Sequence, residues 1–138
     1  MNQQYNPDFV RDLFDRMSSS YERVNYITSF GFSARWRRQM AEMIPQTRQP
    51  VQIIDLLTGM GESWSAIMNR FPNAELTALD FSTGMLVAAR AKNARRFQNR
   101  VIITQRDALQ SDLPSSSFDI ITCSFGLKTF SKDQVRRL

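Results

Sequence analysis

Histidine is absent from the 138 residues of this chain, and cysteine occurs once, as Cys123. Without histidine the chain lacks the commonest metal ligand and the commonest general base near neutral pH, which excludes from it histidine-ligated zinc hydrolysis and Ser-His or Cys-His triads. One thiol cannot close an internal disulfide. No apolar run approaches the ~18 residues of a membrane-spanning helix, and the start MNQQYNPDF lacks the basic-then-apolar order of a secretion signal, so a cytoplasmic location is expected. Glycine is scarce, with 5 copies, and no Gly-Lys-Ser/Thr occurs, which excludes a P-loop.

What is present is the composition of one ordinary soluble domain, 42% hydrophobic and 11% aromatic, with a formal charge of +5. Charge is uneven along it. Residues 51–80 are acidic, with Asp55, Glu62, Glu75 and Asp80 against Arg70 alone, and the following thirty are strongly basic. The densest cluster is Arg90, Lys92, Arg95, Arg96 and Arg100. Phe97 is the one aromatic residue within it and no nucleic-acid signature accompanies it, so it reads as a solvated helix face. A nucleic-acid partner is not expected; a peripheral contact with an anionic membrane is compatible with the cluster.

The first 50 residues read as helical. Phe9, Val10, Leu13, Phe14 and Met17 share one face, with Pro7-Asp8 as the start. A short second helix would carry Tyr21, Val24 and Ile27, and a third, capped by Ser33, would bury Trp36, Met40, Met43 and Ile44. Pro45 and Pro50 bracket a linker, which divides the chain at residues 1–50 and 51–138. Beyond it, apolar runs at Val51–Leu57, Ala74–Asp80, Val101–Gln105 and Phe118–Ser124 alternate with helical patterns near 62–71 and 82–96. Such alternation predicts an α/β fold with a parallel sheet whose strands are buried on both faces; the switch-point rule, which puts the ligand beside the first strand, places that strand between the second and the fourth. The pattern Lys132–Leu138 opens a further helix, so the sheet is expected to be the N-terminal part of a larger one, with an apolar edge at Phe118–Ser124 that would need a neighbour. Pairing of two copies into a homo-oligomer is one way to supply it.

Four strand ends then deliver polar groups to one rim. Asp55 to Gly61 lies where the first strand meets a helix, the place where doubly wound sheets bind nucleotide-like ligands, and its glycines would let a ligand approach the backbone. Asp80 ends the second strand at close to the ~20-residue offset of a ribose-binding carboxylate. Asp107-Ala108 follows the third strand and Ser124 the fourth. A dinucleotide fingerprint would require a small residue at Trp64, where an indole blocks the close helix–strand packing. A ligand with ribose and adenine but no pyrophosphate fits better: S-adenosylmethionine, whose amino group and sulfonium suit the nearby Asp55.

With these motifs in order, the chain resembles the ubiquinone/menaquinone biosynthesis C-methyltransferases, a family of class I S-adenosylmethionine-dependent methyltransferases. The likeness runs from about Val10 to Val135. It is carried by Leu13-Phe14-Asp15, Tyr21-Glu22-Arg23-Val24-Asn25, Ser29-Phe30-Gly31 and Trp36-Arg37-Arg38 in the leader. It continues in Ile54-Asp55-Leu56-Leu57-Thr58-Gly59-Met60-Gly61, Asp80-Phe81-Ser82-Thr83-Gly84-Met85-Leu86, and Ser117-Phe118-Asp119 leading to Ser124-Phe125-Gly126-Leu127.

The resemblance implies a Rossmann-like class I methyltransferase sheet, incomplete at its C-terminal end, under N-terminal helices that cap the substrate side. It also implies S-adenosylmethionine as cofactor, with Gly59, Met60 and Gly61 around its methionine moiety, Asp80 and the adjoining Phe81 at the ribose, Asp107-Ala108 at the adenine and Ser124 closing the pocket. Tyr21, Asn25 and Lys128 become candidates for positioning the substrate, and no metal is implied. The chain departs from the family pattern at Met60, where Thr is usual, at Glu22, where Asp is usual, and at Lys128-Thr129 in place of Arg-Asn. The expected function is methyl transfer to a small aromatic or quinol-like molecule. Two alternatives stand beside it: a catalytically silent cofactor-binding or accessory member of the same fold, and a basic nucleic-acid or membrane-surface module.

Overall fold

Ile53, Ile54, Asp55 and Leu56 are all buried, as expected of a central strand covered on both faces. They belong to β1 (Gln52–Leu56), which pairs in parallel with β2 (Glu75–Asp80) on one side and β4 (Ile120–Thr122) on the other; β3 (Val101–Gln105) extends the sheet beyond β2. The order β3-β2-β1-β4 puts the first strand between the second and the fourth. In this computed structural model the described residues are 7–17, 32–110 and 112–138.

The helices are α1 (Pro7–Met17), α2 (Phe32–Glu42), α3 (Trp64–Arg70), α4 (Thr83–Arg96) and α5 (Lys132–Arg137), with 3-10 turns at Ala108–Gln110 and Gly126–Thr129. The second leader helix expected around Tyr21, Val24 and Ile27 lies outside the described residues. One side of the sheet carries the main core, in which Ile53, Leu76, Ala78 and Val101 meet Trp64, Ile67 and Phe71 of the α3 region and Leu86 and Ala89 of α4. The Trp64 ring meets Phe97 edge-on at 5.6 Å between centroids. On the other side Ile54, Leu56 and Leu79 pack with Leu113 and Phe118.

Side-chain hydrogen bonds fix how α4 joins its strands. Ser82 is its N-cap, accepting from the Met85 amide at 3.2 Å, as its hydroxyl and extended backbone favour. At the far end, buried Asn93 donates to the Val101 carbonyl at 2.8 Å and accepts from the Val101 amide, fastening the helix to the start of β3.

Several expectations are corrected. The helix α2 begins at Phe32, so Ser33 lies inside it, and its buried residues are Ser33, Arg37 and Ala41. Trp36 is 49% exposed and Met43 85% exposed. The face follows small residues and the long Arg37 stem, while Trp36 stacks on Phe32 at 6.1 Å and meets Phe125 at 5.9 Å. In α1, Phe9 and Leu13 are exposed. Strand β4 has three residues rather than seven, and Ile121 at 66% and Ile102 at 48% exposure show that the two edge strands are not covered on both faces among the described residues.

Candidate functional site

The carboxyl ends of the strands open onto one cavity, which with its open mouth spans about 1000 Å³. Asp55, Gly59, Asp80, Phe81, Asp107, Ala108, Ser124 and Lys128 all line it. Met60 and Gly61 do not, although both are buried beside it. Tyr21 and Asn25 fall outside the described residues.

Asp55, at the end of β1, is 1% exposed, the least exposed of the polar residues that line the cavity. Its Oδ2 accepts from the Thr58 hydroxyl at 2.6 Å and its Oδ1 from the Thr122 hydroxyl at 2.7 Å. Thr58 in turn accepts from the Trp64 indole N–H at 2.7 Å. Burial pushes the Asp55 carboxyl up to about 6, against the opposing pull of the two threonine hydroxyls, with Glu62 and Asp80 adding repulsion.

Trp64 itself is fully buried. The indole does fill the space that a third glycine would leave, but it packs against Gly61, whose φ is +77° and whose added Cβ would lie 2.5 Å from the ring. Gly61 makes room for a core tryptophan. The backbone amide of Gly59, by contrast, faces the site and donates to Asp80 Oδ2 at 2.8 Å.

Asp80, buried at the end of β2, also accepts from the Ser82 amide at 2.9 Å. Burial raises its pKa, while the Ser82, Gly59 and Phe81 amides lower it and Asp15 raises it further. Each carboxylate oxygen has a second lone pair, so the two amide bonds orient Asp80 without exhausting it. Behind it, Asp15 of α1 accepts from the Ser82 hydroxyl and, at 2.9 Å, from the Gly84 amide, tying the leader to the turn that follows Asp80. Asp107 holds its own loop through the Leu109 amide at 2.9 Å, and Lys128 stands exposed on the Gly126–Thr129 turn.

The lining also includes Arg37, Glu62, Arg106 and Gln134, which were not singled out as site residues from the sequence. Arg37 and Glu62 lie inside or beside runs already noted, but nothing in their spacing distinguishes a cavity-lining charge from a solvated one. Among the described residues, no cluster of three or more His, Cys, Asp or Glu side chains could hold a metal ion. No described helix is long and apolar enough to cross a membrane.

The chain matches the ubiE/COQ5 methyltransferase family over residues 1–138. It belongs to that family. The demethylmenaquinone methyltransferase of Thermus thermophilus is 34% identical over 120 residues, covering 86% of this chain and 53% of the relative. That of Thermotoga maritima is 35% identical over 119 residues, covering 86% of this chain and 49% of the relative. The chain thus spans about half the length of the curated relatives it matches.

Solved structures agree on the fold. Haemonchus contortus phosphoethanolamine N-methyltransferase 1, in complex with phosphoethanolamine and S-adenosylhomocysteine, aligns with a TM-score of 0.70 at 15% identity, over 98% of this chain and 29% of that one. The mitomycin 7-O-methyltransferase MmcR aligns with a TM-score of 0.65 at 19% identity, over 90% and 37%. The architecture is that of class I S-adenosylmethionine-dependent methyltransferases.

Proposed function

We propose that the chain binds S-adenosylmethionine at the strand rim and serves methyl transfer to a small aromatic or quinol-like acceptor, residues 1–50 forming the substrate-side cap on the cofactor-binding unit of residues 51–138. The observation that carries this reading is the convergence of Asp55, Gly59, Asp80, Phe81, Asp107 and Ala108 on one cavity in a member of the ubiE/COQ5 methyltransferase family. The donor set fits the cofactor. Asp80, preoriented by two amides, accepts from ribose hydroxyls; Asp107 and Ala108 border the adenine, with Phe81 packed alongside; and the buried carboxylate of Asp55 offers a counter-charge to a cationic amino-acid end. Ser124 closes the pocket from the end of β4.

The bound cofactor supplies an electrophilic methyl group on a sulfonium centre. The protein's share is to hold the acceptor in line with that methyl and to exclude water. A hydroquinone carbon becomes nucleophilic on loss of a phenolic proton, which in a chain without histidine goes to a carboxylate, a lysine, a tyrosine or water, while Tyr21, Asn25 and Lys128 are the candidates for positioning the acceptor. The relatives named demethylmenaquinone methyltransferase support a reduced naphthoquinone as acceptor.

The test is label transfer from methyl-labelled cofactor to a reduced, demethylated naphthoquinone. Label on the ring carbon is the expected result. Cofactor binding without transfer supports the catalytically silent reading instead, and failure to bind the cofactor rejects both.

A further inference from the structure

Arg37 is 9% exposed, lines the cavity, and carries an Nε with no hydrogen-bond partner among the described residues. A buried guanidinium nitrogen without a partner is unfavourable, and its persistence calls for a ligand that completes it. The ring of Phe125, 5.0 Å from the guanidinium carbon, meets one face of the group. A face contact leaves the in-plane N–H fork, which is the part that binds a carboxylate through two parallel bonds.

Its surroundings narrow the choice of ligand. Asp55 and Asp80 line the same cavity, yet no ion pair joins Arg37 to either; their oxygens are held by threonine hydroxyls and backbone amides. Opposite charges that line one cavity without pairing suit a ligand that carries both signs on adjacent groups, as an α-amino acid does. Position agrees. Phe125 follows β4, which neighbours β1, and α2 packs against α3, the helix after the Gly59–Gly61 turn; Asp107 follows β3 at the opposite edge of the sheet. Arg37 therefore stands at the end of the rim away from the adenine side.

We propose that Arg37 binds the carboxylate of the methionine moiety of the cofactor, as the cationic partner of a zwitterion site whose anionic partner is Asp55. This rests on the cofactor reading above. The same fork could serve an ionised hydroxyl of the acceptor, and the experiment separates the two.

S-adenosylhomocysteine, which has the carboxylate, and 5′-methylthioadenosine, which has the same nucleoside without the amino-acid end, are titrated calorimetrically into the parent chain, Arg37→Met and Arg37→Lys. The expected result is an affinity for S-adenosylhomocysteine weakened about 10- to 100-fold in Arg37→Met and less in Arg37→Lys. Methylthioadenosine binding should change less than about 3-fold, which also shows that the variants are folded. Equal losses for both ligands would reveal a structural role and overturn the proposal. Unchanged S-adenosylhomocysteine affinity would overturn it in favour of the acceptor's oxygen. A parent that binds neither ligand would reject the cofactor reading itself.

Discussion

Asp55 gathers the chemistry of this chain into one side chain, because its burial and its role at the cavity pull in opposite directions. In the folded chain it ionises near 6, against 3.8 for an ordinary aspartate. Between those values the native state holds a proton that the unfolded state has lost, so the contribution of Asp55 to stability is greatest below about pH 4 and falls as pH rises through 6, by about 3 kcal/mol. Asp80 shifts in the same direction. Denaturant titrations across this window should show that fall in the parent and a flatter profile in Asp55→Asn. Gly61 makes a second residue-scale claim. With φ at +77° and an added Cβ 2.5 Å from the Trp64 ring, Gly61→Ala should destabilise the chain by about 2–4 kcal/mol, combining overpacking with left-handed strain. An equilibrium unfolding curve indistinguishable from the parent would refute that account. The sequence shows the glycine but not the partner that needs it. That partner is the ring of Trp64, six residues after the Thr58 that accepts its indole N–H.

The N-terminus of α4 shows how one element links leader, core and site. Ser82 caps the helix, its hydroxyl meets Asp15 of α1, and its amide holds Asp80. Ser82→Ala should therefore cost about 1–2 kcal/mol, the upper part of the range for a lost cap, and should speed hydrogen exchange in α1 as well as in the first turn of α4. Exchange faster in α4 alone would separate the leader from the cap. A serine at the start of the helical pattern near 82–96 is the residue type that an N-cap favours, but nothing in the sequence points to its bond with Asp15, 67 residues away. The helix α2 teaches the same lesson. Its apolar spacing was clear, but the burial of Ser33, Arg37 and Ala41 in place of Trp36 and Met43 depends on what packs against it.

At the scale of the whole molecule, the parallel sheet and its rim were legible from continuous apolar runs alternating with helical patterns, and the strand order from the switch-point rule and the family resemblance. Strand β3 falls where its apolar run predicted, whereas β4 is shorter because only three of its residues pair with β1. The cavity residues that end strands were readable from position alone. Arg37 and Gln134, which reach the cavity from helices outside the sheet, required the packed structure. The central claim is that this rim holds the cofactor through Asp80. It is tested most directly by titrating S-adenosylhomocysteine into the parent and into Asp80→Ala, with Asp80→Asn as a milder variant that keeps one acceptor oxygen. The expected result is binding by the parent, an affinity about 10- to 150-fold weaker in Asp80→Ala, corresponding to about 1.5–3 kcal/mol, and a smaller loss in Asp80→Asn. Equal affinity in the parent and Asp80→Ala would contradict the account.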